Sequence, residues 1–492
     1  MQKIRQIIMS RWFWLLTAVL LVISRLATWV FPFDSDHWIF YYIGRRWFSD
    51  GVLYVDMWDH KSPLIYLYNG LLYKTFGDNL IAHRIIFSLI TILAIWVFYK
   101  TAILLYKTIK INNHIFIARV STLVFVFMAN LSQFTNSGNN NENLGILFLL
   151  LTLYFYLLYR NNRSRQAILL VSGLFAGVVF LLKANFAILL LPIAADLIFI
   201  TYKNIYRLIG GVAIFAFGTL AQLLVWALYF YYQGTFKQFY IATLQFNSKY
   251  IRALGWDLSA PGIKIFIAIS LLLLAFFAPF LVKAIKEFWR PNKNSLLIPL
   301  LAVAILLSFV AAGTFYSHYF LITTPYLCLI FGSTASRVFA KHHSLKIATL
   351  LIIALLLLAI SYKQLYNNFY GSAKSELDNQ KQAAQYIDKH SKKNDKIFAN
   401  LYGATFYELA HRDSGSRYIS ASHPLIDYKY HLGYGFNTKF IVDIEESGAK
   451  YVIVSSNKND LYRVQNPVLM RYFSHNYHPE AAVGGYDILR RN

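Results

Sequence analysis

Cysteine and charged residues are scarce in this sequence, and each scarcity excludes a class of protein. Cys328 is the single cysteine among 492 residues, so no disulfide can form within the chain. Charged residues make up 14% of the sequence and hydrophobic residues 57%, whereas a soluble protein of this length needs far more charged surface. The composition therefore predicts an integral membrane protein.

Long apolar runs take the place of charge. They recur between Trp12 and Tyr362, each close to the ~20 residues that cross a bilayer. About eleven such runs predict an all-α polytopic membrane domain over residues 1–362. Residues 363–492 are polar, with alternating helical and strand-like patterns, and predict a small α/β domain. The basic N-terminus, which lacks a small-residue cleavage site, is expected to be a retained signal anchor.

The net charge of +24 is distributed as in a membrane protein. From Lys374 onward there are 16 basic and 13 acidic residues, which leaves 31 basic and 10 acidic residues before that point. The basic excess lies in short loops that share one side if there are eleven spans, and such loops face the cytoplasm. We therefore expect a multi-pass protein of the cell membrane with a cytoplasmic N-terminus and an extracytoplasmic C-terminal domain. A basic stripe with interleaved aromatic residues is missing, so nucleic acid is not an expected partner.

The first predicted outer loop, residues 32–80, concentrates the acidic residues of the membrane part. Six of the ten lie there: Asp34, Asp36, Asp50, Asp56, Asp59 and Asp78. The loop also predicts two helices, an amphipathic one near Trp38–Phe48 and a second over Pro63–Phe76, where proline suits the first helical turn. Carboxylates at the membrane boundary are costly unless they face water or a cation, which makes Asp34 and Asp36 candidate functional residues.

Two stretches of this loop resemble the first outer loop of GT-C glycosyltransferases. They are Phe33-Asp-Ser-Asp-His-Trp-Ile-Phe-Tyr-Tyr-Ile-Gly44 and Tyr54-Val-Asp-Met-Trp-Asp-His-Lys-Ser-Pro63. The similarity is to the bacterial branch that includes aminoarabinose transferases and is akin to protein O-mannosyltransferases. Ser62 departs from the usual Asp-His-Lys-Pro-Pro pattern. Weaker matches are Glu142 on the next outer loop, Lys183 between two spans, and Tyr316-Ser-His-Tyr319.

The resemblance implies an inverting transfer of a sugar from a polyprenyl-phosphate donor to an outer-face glycan, lipid or protein. By spacing from Gly44, Asp36 matches the family's catalytic carboxylate better than Asp34 does, and we expect Asp36 to be the general base. Asp34 is the alternative base or an acceptor-orienting group. The leaving phosphate needs fixed cations, for which the candidates are Lys61, His60, His318, Lys183 and Arg84. Glu142, Asp59 and Tyr319 are candidates for acceptor binding or an auxiliary role.

Each of these residues also has a structural alternative. Lys61 could instead reach lipid headgroups, and His318 could be an ordinary interfacial histidine. Arg84 could anchor its helix, and Glu142 could be a solvated loop residue or a cation ligand. Neighbouring His, Cys and Asp residues show no zinc spacing, so we expect no metal and no cofactor.

A transporter or a flippase for lipid-linked glycans is the rival function. Carriers place ionisable groups near the bilayer midplane and are often built from internal repeats. Here the acidic residues gather in one outer loop, and no repeated half is visible. The sequence therefore favours a membrane glycosyltransferase.

Overall fold

The structure is a computed structural model of the chain. It describes residues 8, 10–30, 33–254, 296–312, 316–341, 370–400, 402–457 and 466–492, with isolated positions within 255–295 and 361–369. The chain divides into two compact units. The first contains Met1–Phe31, Leu80–Tyr229 and Gly255–Leu365, and the second contains Pro32–Asn79, Phe230–Leu254 and Tyr366–Asn492.

The first unit is a helical bundle. Its helices, among the described residues, are α1 Trp12–Val30, α2 Leu80–Thr108, α3 His114–Met128, the one-turn α4 Ser132–Thr135, α5 Asn141–Asn161, α6 Gln166–Leu182, α7 Leu191–Thr201, α8 Ile205–Tyr232, α9 Leu297–Ala312 and α10 Thr324–Lys341. Helix α8 runs three residues into the second unit. Short 3-10 segments, Ala184–Leu190 and Ser317–Thr323, precede α7 and α10. A continuous apolar core, dominated by leucine, isoleucine and phenylalanine, joins these helices.

Five described helical segments are long and apolar enough to cross a membrane: Trp12–Val30, Leu80–Thr108, Asn141–Asn161, Ala184–Thr201 and Ile205–Tyr232. Three shorter apolar helices accompany them. The predicted polytopic helical character is confirmed. Most of the predicted spans Ile263–Val282 and Ile347–Ser361 lies outside the described residues, so the count of eleven stays a prediction.

Two buried charges among the described residues of this bundle have polar partners. Asp196 of α7 is fully buried and accepts hydrogen bonds from Arg160 Nε at 2.7 Å and from the Tyr156 hydroxyl at 2.5 Å. Arg25 of α1 donates to Ser88 at 2.9 Å and to Asn130 at 3.0 Å. A charge left without partners in an apolar bundle costs several kcal/mol, so these contacts stabilise helix packing.

The second unit combines the first loop, residues 230–254 and the polar C-terminal region. Its helices are α11 Ser35–Ser49, α12 Pro63–Phe76, α13 Phe236–Tyr240, α14 Asn247–Leu254, α15 Ser372–His390, α16 Gly403–Leu409, α17 Ser422–Lys429, α18 Phe436–Ser447 and α19 Pro467–Asn476. A π-helical turn, Ile241–Phe246, joins α13 to α14. The predicted helix Pro63–Phe76 is confirmed with both of its bounds.

In the described part of the C-terminal region, four strands form one mixed sheet in the order β1-β2-β4-β3. They are β1 Ile397–Ala399, β2 Tyr451–Ser455, β3 Tyr477–Val483 and β4 Tyr486–Arg491. β1 pairs with β2 in parallel, and the other two pairings are antiparallel. The first two strands and the helices of this region match the predicted small α/β fold. The β3–β4 hairpin was not predicted, although Gly484-Gly485 at its turn, both with positive φ, is a hairpin signal.

Ion pairs hold the first-loop helix α11 to helix α16 and the segment that follows it. Arg45 Nε lies 2.9 Å from Glu408 Oε1, and Arg46 Nη1 lies 2.6 Å from Asp413 Oδ2. Burial raises the pKa of Glu408 to about 7, although Arg45 acts in the opposite direction. The C-terminal region and the first loop therefore form one folded unit.

Two glycines allow α11 and α12 to touch backbone to backbone. A Cβ atom at Gly44 would lie 2.6 Å from Gly70 N and 2.8 Å from Tyr66 O. A Cβ atom at Gly70 would lie 2.8 Å from Gly44 O. Because backbone atoms cannot move aside as side chains do, any larger residue must push the helices apart.

We predict that Gly44→Ala destabilises the protein by about 1–3 kcal/mol through overpacking. The Gly210→Ala variant is the matched control, since Gly210 is a helical glycine whose Cβ would meet no atom within 4 Å. The measurement is the thermal unfolding midpoint, Tm, of the two purified variants in detergent. An equal Tm for Gly44→Ala and the wild type would contradict the close approach of the helices.

Candidate functional site

Helix α11 places the two predicted carboxylates in different chemical positions. Asp34 is the N-cap, and its Oδ1 accepts a hydrogen bond from the His37 N–H at 2.9 Å. Asp36 lies in the first turn and is half-buried. Among the described residues no hydrogen bond to the Asp36 carboxylate occurs. Both acids benefit from the positive end of the helix dipole, but only Asp34 is used as a cap.

Asp59, His60, Lys61 and His423 form one cluster in the second unit, which we term the Asp59 cluster. Asp59 is 2% exposed, and its Oδ1 lies 3.2 Å from His60 Nδ1 and 3.1 Å from His423 Nε2. The Tyr66 hydroxyl donates a short hydrogen bond to Asp59 Oδ2. The buried carboxylate is thus satisfied from both sides.

The distances within the cluster restrict its protons. Lys61 Nζ lies 3.0 Å from His60 Nε2, so the ammonium donates and this nitrogen accepts. His60 Nδ1 and His423 Nε2 are 2.6 Å apart, which requires that one of the two nitrogens carries no proton. The cluster therefore holds neutral imidazoles beside a lysine.

The directions of the pKa shifts agree with neutral imidazoles and an ionised carboxylate. Burial, with the Lys61 ammonium, lowers the pKa of His60 to about 3. Burial also lowers the pKa of His423, against the attraction of the Asp59 carboxylate. Burial alone would raise the pKa of Asp59, but the hydrogen bond from His60, together with His423 and Lys61, holds it well below its usual range. Near neutral pH the cluster contains one carboxylate, two neutral imidazoles and one lysine.

Residues distant in sequence fix the turn that carries this cluster. The Tyr54 hydroxyl donates to Lys61 O at 2.8 Å, and Asn247 Nδ2 donates to His60 O at 2.8 Å. Phe246 and Tyr250 flank the His60 ring, with ring centroids at 6.0 and 5.8 Å. Asn247 follows the π-helical turn, a feature that often occurs at functional sites.

The Asp59 cluster could hold a metal ion. Asp59, His60 and His423 each offer one ligand atom, and these atoms lie within 4.8 Å of one another. Ligand atoms on a tetrahedral Zn²⁺ stand about 3.3 Å apart at usual bond lengths. The two contacts of Asp59 match this spacing, whereas the 2.6 Å between His60 Nδ1 and His423 Nε2 is shorter. Sequence spacing did not reveal this set, because His423 lies far along the chain from His60. Three ligands would leave one position open for water or substrate.

A second group of predicted residues meets in the first unit, and we term it the Lys183 cluster. Lys183 Nζ lies 2.8 Å from Glu142 Oε1 and 3.4 Å from the centroid of the Tyr319 ring. Glu142 is 2% exposed, so it is not a solvated loop residue. The rings of His318 and Tyr319 are in edge contact at 4.7 Å.

Arg84 belongs to neither cluster. Its Nη1 donates to the backbone oxygen of Thr28 at 2.8 Å, which ties α2 to α1. The observed contact is that of an anchoring residue. The five predicted phosphate ligands are thus distributed over both units, with His60 and Lys61 in the second and His318, Lys183 and Arg84 in the first.

Comparisons with known proteins agree with the predicted fold. The family model of dolichyl-phosphate-mannose-protein mannosyltransferases matches residues 60–230. The structure of ArnT from Cupriavidus metallidurans bound to undecaprenyl phosphate is similar with a TM-score of 0.64 at 14% identity, over 97% of both chains. The oligosaccharyltransferase AglB from Archaeoglobus fulgidus, in complex with an inhibitory peptide and a dolichol-phosphate, gives 0.56 at 13% identity, over 98% of this chain and 74% of that one. The chain has the GT-C fold. None of the curated proteins matches it significantly in sequence.

The GT-C fold that the resemblance implies is therefore confirmed. Of the residues that sequence analysis missed, His423 is the one most directly involved in the site. Tyr54, Tyr66 and Asn247 were also missed, since each is an ordinary residue until the fold brings it to the Asp59 turn. No local pattern around His423, within Ser420-Ala-Ser-His-Pro424, distinguishes it from other histidines.

We predict that acid destabilises the wild type through the paired imidazoles. Because the folded-state pKa of His60 is about 3, below its unfolded value, unfolding takes up protons as the pH falls. The stability from His60 is complete above about pH 6.5 and is lost progressively toward pH 3. The measurement is Tm from pH 8 to 5, and His423→Asn should show a smaller fall than the wild type. His475→Asn, which removes an exposed histidine, is the control. An identical slope for His423→Asn would contradict the pairing.

Proposed function

We propose that the chain is an inverting glycosyltransferase. It moves a sugar from a polyprenyl-phosphate donor to a hydroxyl of an acceptor on the outer face of the cell membrane. One observation carries this proposal: a half-buried carboxylate, Asp36 in the first turn of α11, and a lysine held by a neutral partner, Lys61 at 3.0 Å from His60 Nε2, belong to the same compact unit. The similar structures of ArnT and AglB, with bound undecaprenyl phosphate and dolichol-phosphate, support a lipid-phosphate donor.

Asp36 is the proposed general base. An acceptor hydroxyl must lose its proton as it attacks the anomeric carbon, and a carboxylate within hydrogen-bond reach accepts that proton. Asp36 is available for this task, whereas the Asp34 oxygen is used by the His37 N–H. Asp34 therefore shapes the N-terminus of α11 and orients Asp36.

Lys61 is the proposed partner of the leaving phosphate. The phosphate gains negative charge as the glycosidic bond breaks, and a fixed cation stabilises that charge. The neutral His60 accepts a hydrogen bond from Lys61 and leaves its ammonium group with two further N–H donors. Asp59 is buried among its own partners and therefore serves to position His60 rather than to contact the sugar.

The Lys183 cluster is proposed as auxiliary. Because Lys183 is already paired with the buried Glu142, it can bind a phosphate only if that ion pair rearranges. Arg84 is not proposed as a phosphate ligand, since its guanidinium contacts Thr28 O. Tyr319 supports Lys183 through a cation–π contact.

The membrane arrangement completes the proposal. Eleven spans, a cytoplasmic N-terminus, and an outward-facing loop and C-terminal domain satisfy the distribution of basic loops. The proposed boundary of the C-terminal extracytoplasmic region stays at residue 363. The transferred group is a hexosyl or pentosyl unit, and no metal is required when a lysine faces a single phosphate. The rival transport function gains no support, because the buried charges Asp196, Glu142 and Arg25 have protein partners.

We predict that Asp36→Asn abolishes the enzyme's product in cells. Loss of a general base lowers the rate about 10²–10⁴-fold. A strain lacking the gene is complemented with the wild type or a variant, and its envelope glycans are analysed by mass spectrometry. The wild type should restore a glycosyl substituent that the deletion lacks, and Asp36→Asn should not.

Asp34→Asn is the matched control. Asparagine caps a helix as well as aspartate does, so this variant removes the charge but keeps the hydrogen bond to His37 N–H. It should restore the substituent. Loss of product in Asp34→Asn, with retention in Asp36→Asn, would reverse the assignment of the base. An unchanged glycan profile in the deletion strain would reject the transferase function.

We predict that Lys61→Met weakens donor-lipid binding about 10–100-fold, the range expected when a hydrogen bond to a charged group is lost. The measurement is the rise in Tm of the purified protein as undecaprenyl phosphate is titrated. Lys74→Met, on the exposed face of α12, should respond like the wild type. Equal titrations for Lys61→Met and Lys74→Met would exclude Lys61 as a phosphate ligand.

A further inference from the structure

A polar cleft of about 510 Å³ lies in the second unit and contains none of the proposed catalytic residues. We term it the Ser414 cleft. Its lining is mostly polar and includes Tyr42, Arg46, Ser414, Arg417, Asp443 and Glu446. Its volume lies within the roughly 300–1,000 Å³ of small-molecule sites.

The walls of the cleft are fixed by internal contacts. Arg417 donates to both oxygens of Asp443, with Nη2 to Oδ1 at 2.7 Å and Nε to Oδ2 at 2.9 Å. The Ser414 N–H donates to the Tyr42 hydroxyl at 2.9 Å. A Cβ at Gly415 would lie 2.8 Å from the Ala449 Cβ, so the floor is closely packed. The polar groups therefore hold their positions without a ligand.

The charges of the lining select a neutral ligand. Arg46 pairs with Asp413 and Arg417 pairs with Asp443, which leaves the exposed groups of Lys396, Asp56 and Glu446. A phosphate-rich polymer would need an excess of cations, which this lining lacks. The exposed carboxylates of Asp56 and Glu446, beside the partly exposed Val55, instead suit a ligand with hydroxyl donors and C–H faces.

The backbone around the cleft does not favour an extended peptide. Peptides often bind by adding a strand to an open sheet edge. Here the segment from Ser414 to Tyr418 is already bridged at both ends, by Ile397 at Ser414 and by Trp58 at Tyr418. The Trp58 N–H donates to Arg417 O at 2.7 Å. A glycan, recognised through side chains, fits better.

The cleft and the Asp59 cluster are only two residues apart along the chain. Met57 lines the cleft and Asp59 anchors the Asp59 cluster, and their Cα atoms are at most about 7 Å apart along the chain. We propose that the Ser414 cleft binds neutral sugar residues of the acceptor, so that the acceptor of the proposed transferase is an oligosaccharide or polysaccharide. This inference rests on the proposed function for its biological meaning but is tested by binding alone.

The experiment measures binding of neutral tetrasaccharides to the full-length protein in detergent, without donor. Maltotetraose, cellotetraose, mannotetraose and the tetramer of N-acetylglucosamine are the probes, and a polyglycerol phosphate and an unstructured heptapeptide are the comparisons. Saturation-transfer NMR detects contact, and calorimetry gives the Kd. We expect millimolar or tighter binding of at least one tetrasaccharide, and weaker or no binding of the comparison ligands.

Two variants localise the binding to the cleft. Ser447→Trp fills it and should raise the Kd at least tenfold, and Glu446→Gln removes one acceptor charge and should raise it severalfold. Glu445→Gln, a neighbour on α18 outside the lining, should bind like the wild type. The Tm of each variant verifies folding. If Ser447→Trp does not fold, the Kd of Glu446→Gln alone tests whether the glycan binds in the cleft.

Three outcomes would overturn the inference: no tetrasaccharide binds, binding is unaffected by Glu446→Gln and Ser447→Trp, or the peptide or phosphate polymer binds more tightly. These outcomes are separate from failure of the transferase function. Binding of a tetrasaccharide by the purified wild type that Ser447→Trp and Glu446→Gln weaken, together with an unchanged glycan profile in the deletion strain, would support the cleft and reject the enzyme.

Discussion

The second unit depends on one buried carboxylate. Asp59 is almost completely removed from water, and a buried charge is tolerated only when hydrogen bonds replace its hydration. Tyr66 supplies one of these bonds from α12, His60 supplies another from the same turn, and His423 lies within ion-pair distance from the C-terminal region. Satisfying this carboxylate brings together segments that are more than 350 residues apart.

The burial of the Asp59 cluster also explains the position of Lys61. His60 cannot accept a second proton cheaply in a buried site beside a cation, so it stays neutral and receives a hydrogen bond from Lys61. A neutral partner holds the ammonium in place without neutralising its charge. In the Lys183 cluster the opposite holds, because Glu142 neutralises the lysine directly. Of the two lysines proposed from the sequence, Lys61 therefore has a neutral partner, as its proposed role as a phosphate ligand requires, whereas Lys183 forms an ion pair.

The parts of the site that depend on residues close in sequence could be predicted, and those that depend on distant residues could not. Helix α12 was predicted with both bounds because Pro63 and the apolar pattern are local signals. The Asp-His-Lys motif and the two carboxylates of α11 were also local. His423 and Asn247 could not be found in this way, since their roles come from contacts with His60 across 363 and 187 residues. The expectation of no metal site has the same limit. Rules on metal-ligand spacing consider only residues that are close in sequence, so they cannot include His423 with Asp59 and His60.

Helix α11 shows how local chemistry separates two similar carboxylates. An N-cap must present its oxygen to the backbone N–H groups of its own first turn, which directs Asp34 inward to the helix. Asp36, two residues later, lies in the first turn of the helix. It also benefits from the helix dipole but does not cap the helix. The contact of Gly44 with Gly70 then fixes α11 against α12, the helix that supplies Tyr66 to Asp59. Position relative to the helix terminus thereby makes Asp34 the N-cap and leaves Asp36 without a capping hydrogen bond, which is the difference on which the proposed choice of Asp36 as general base rests.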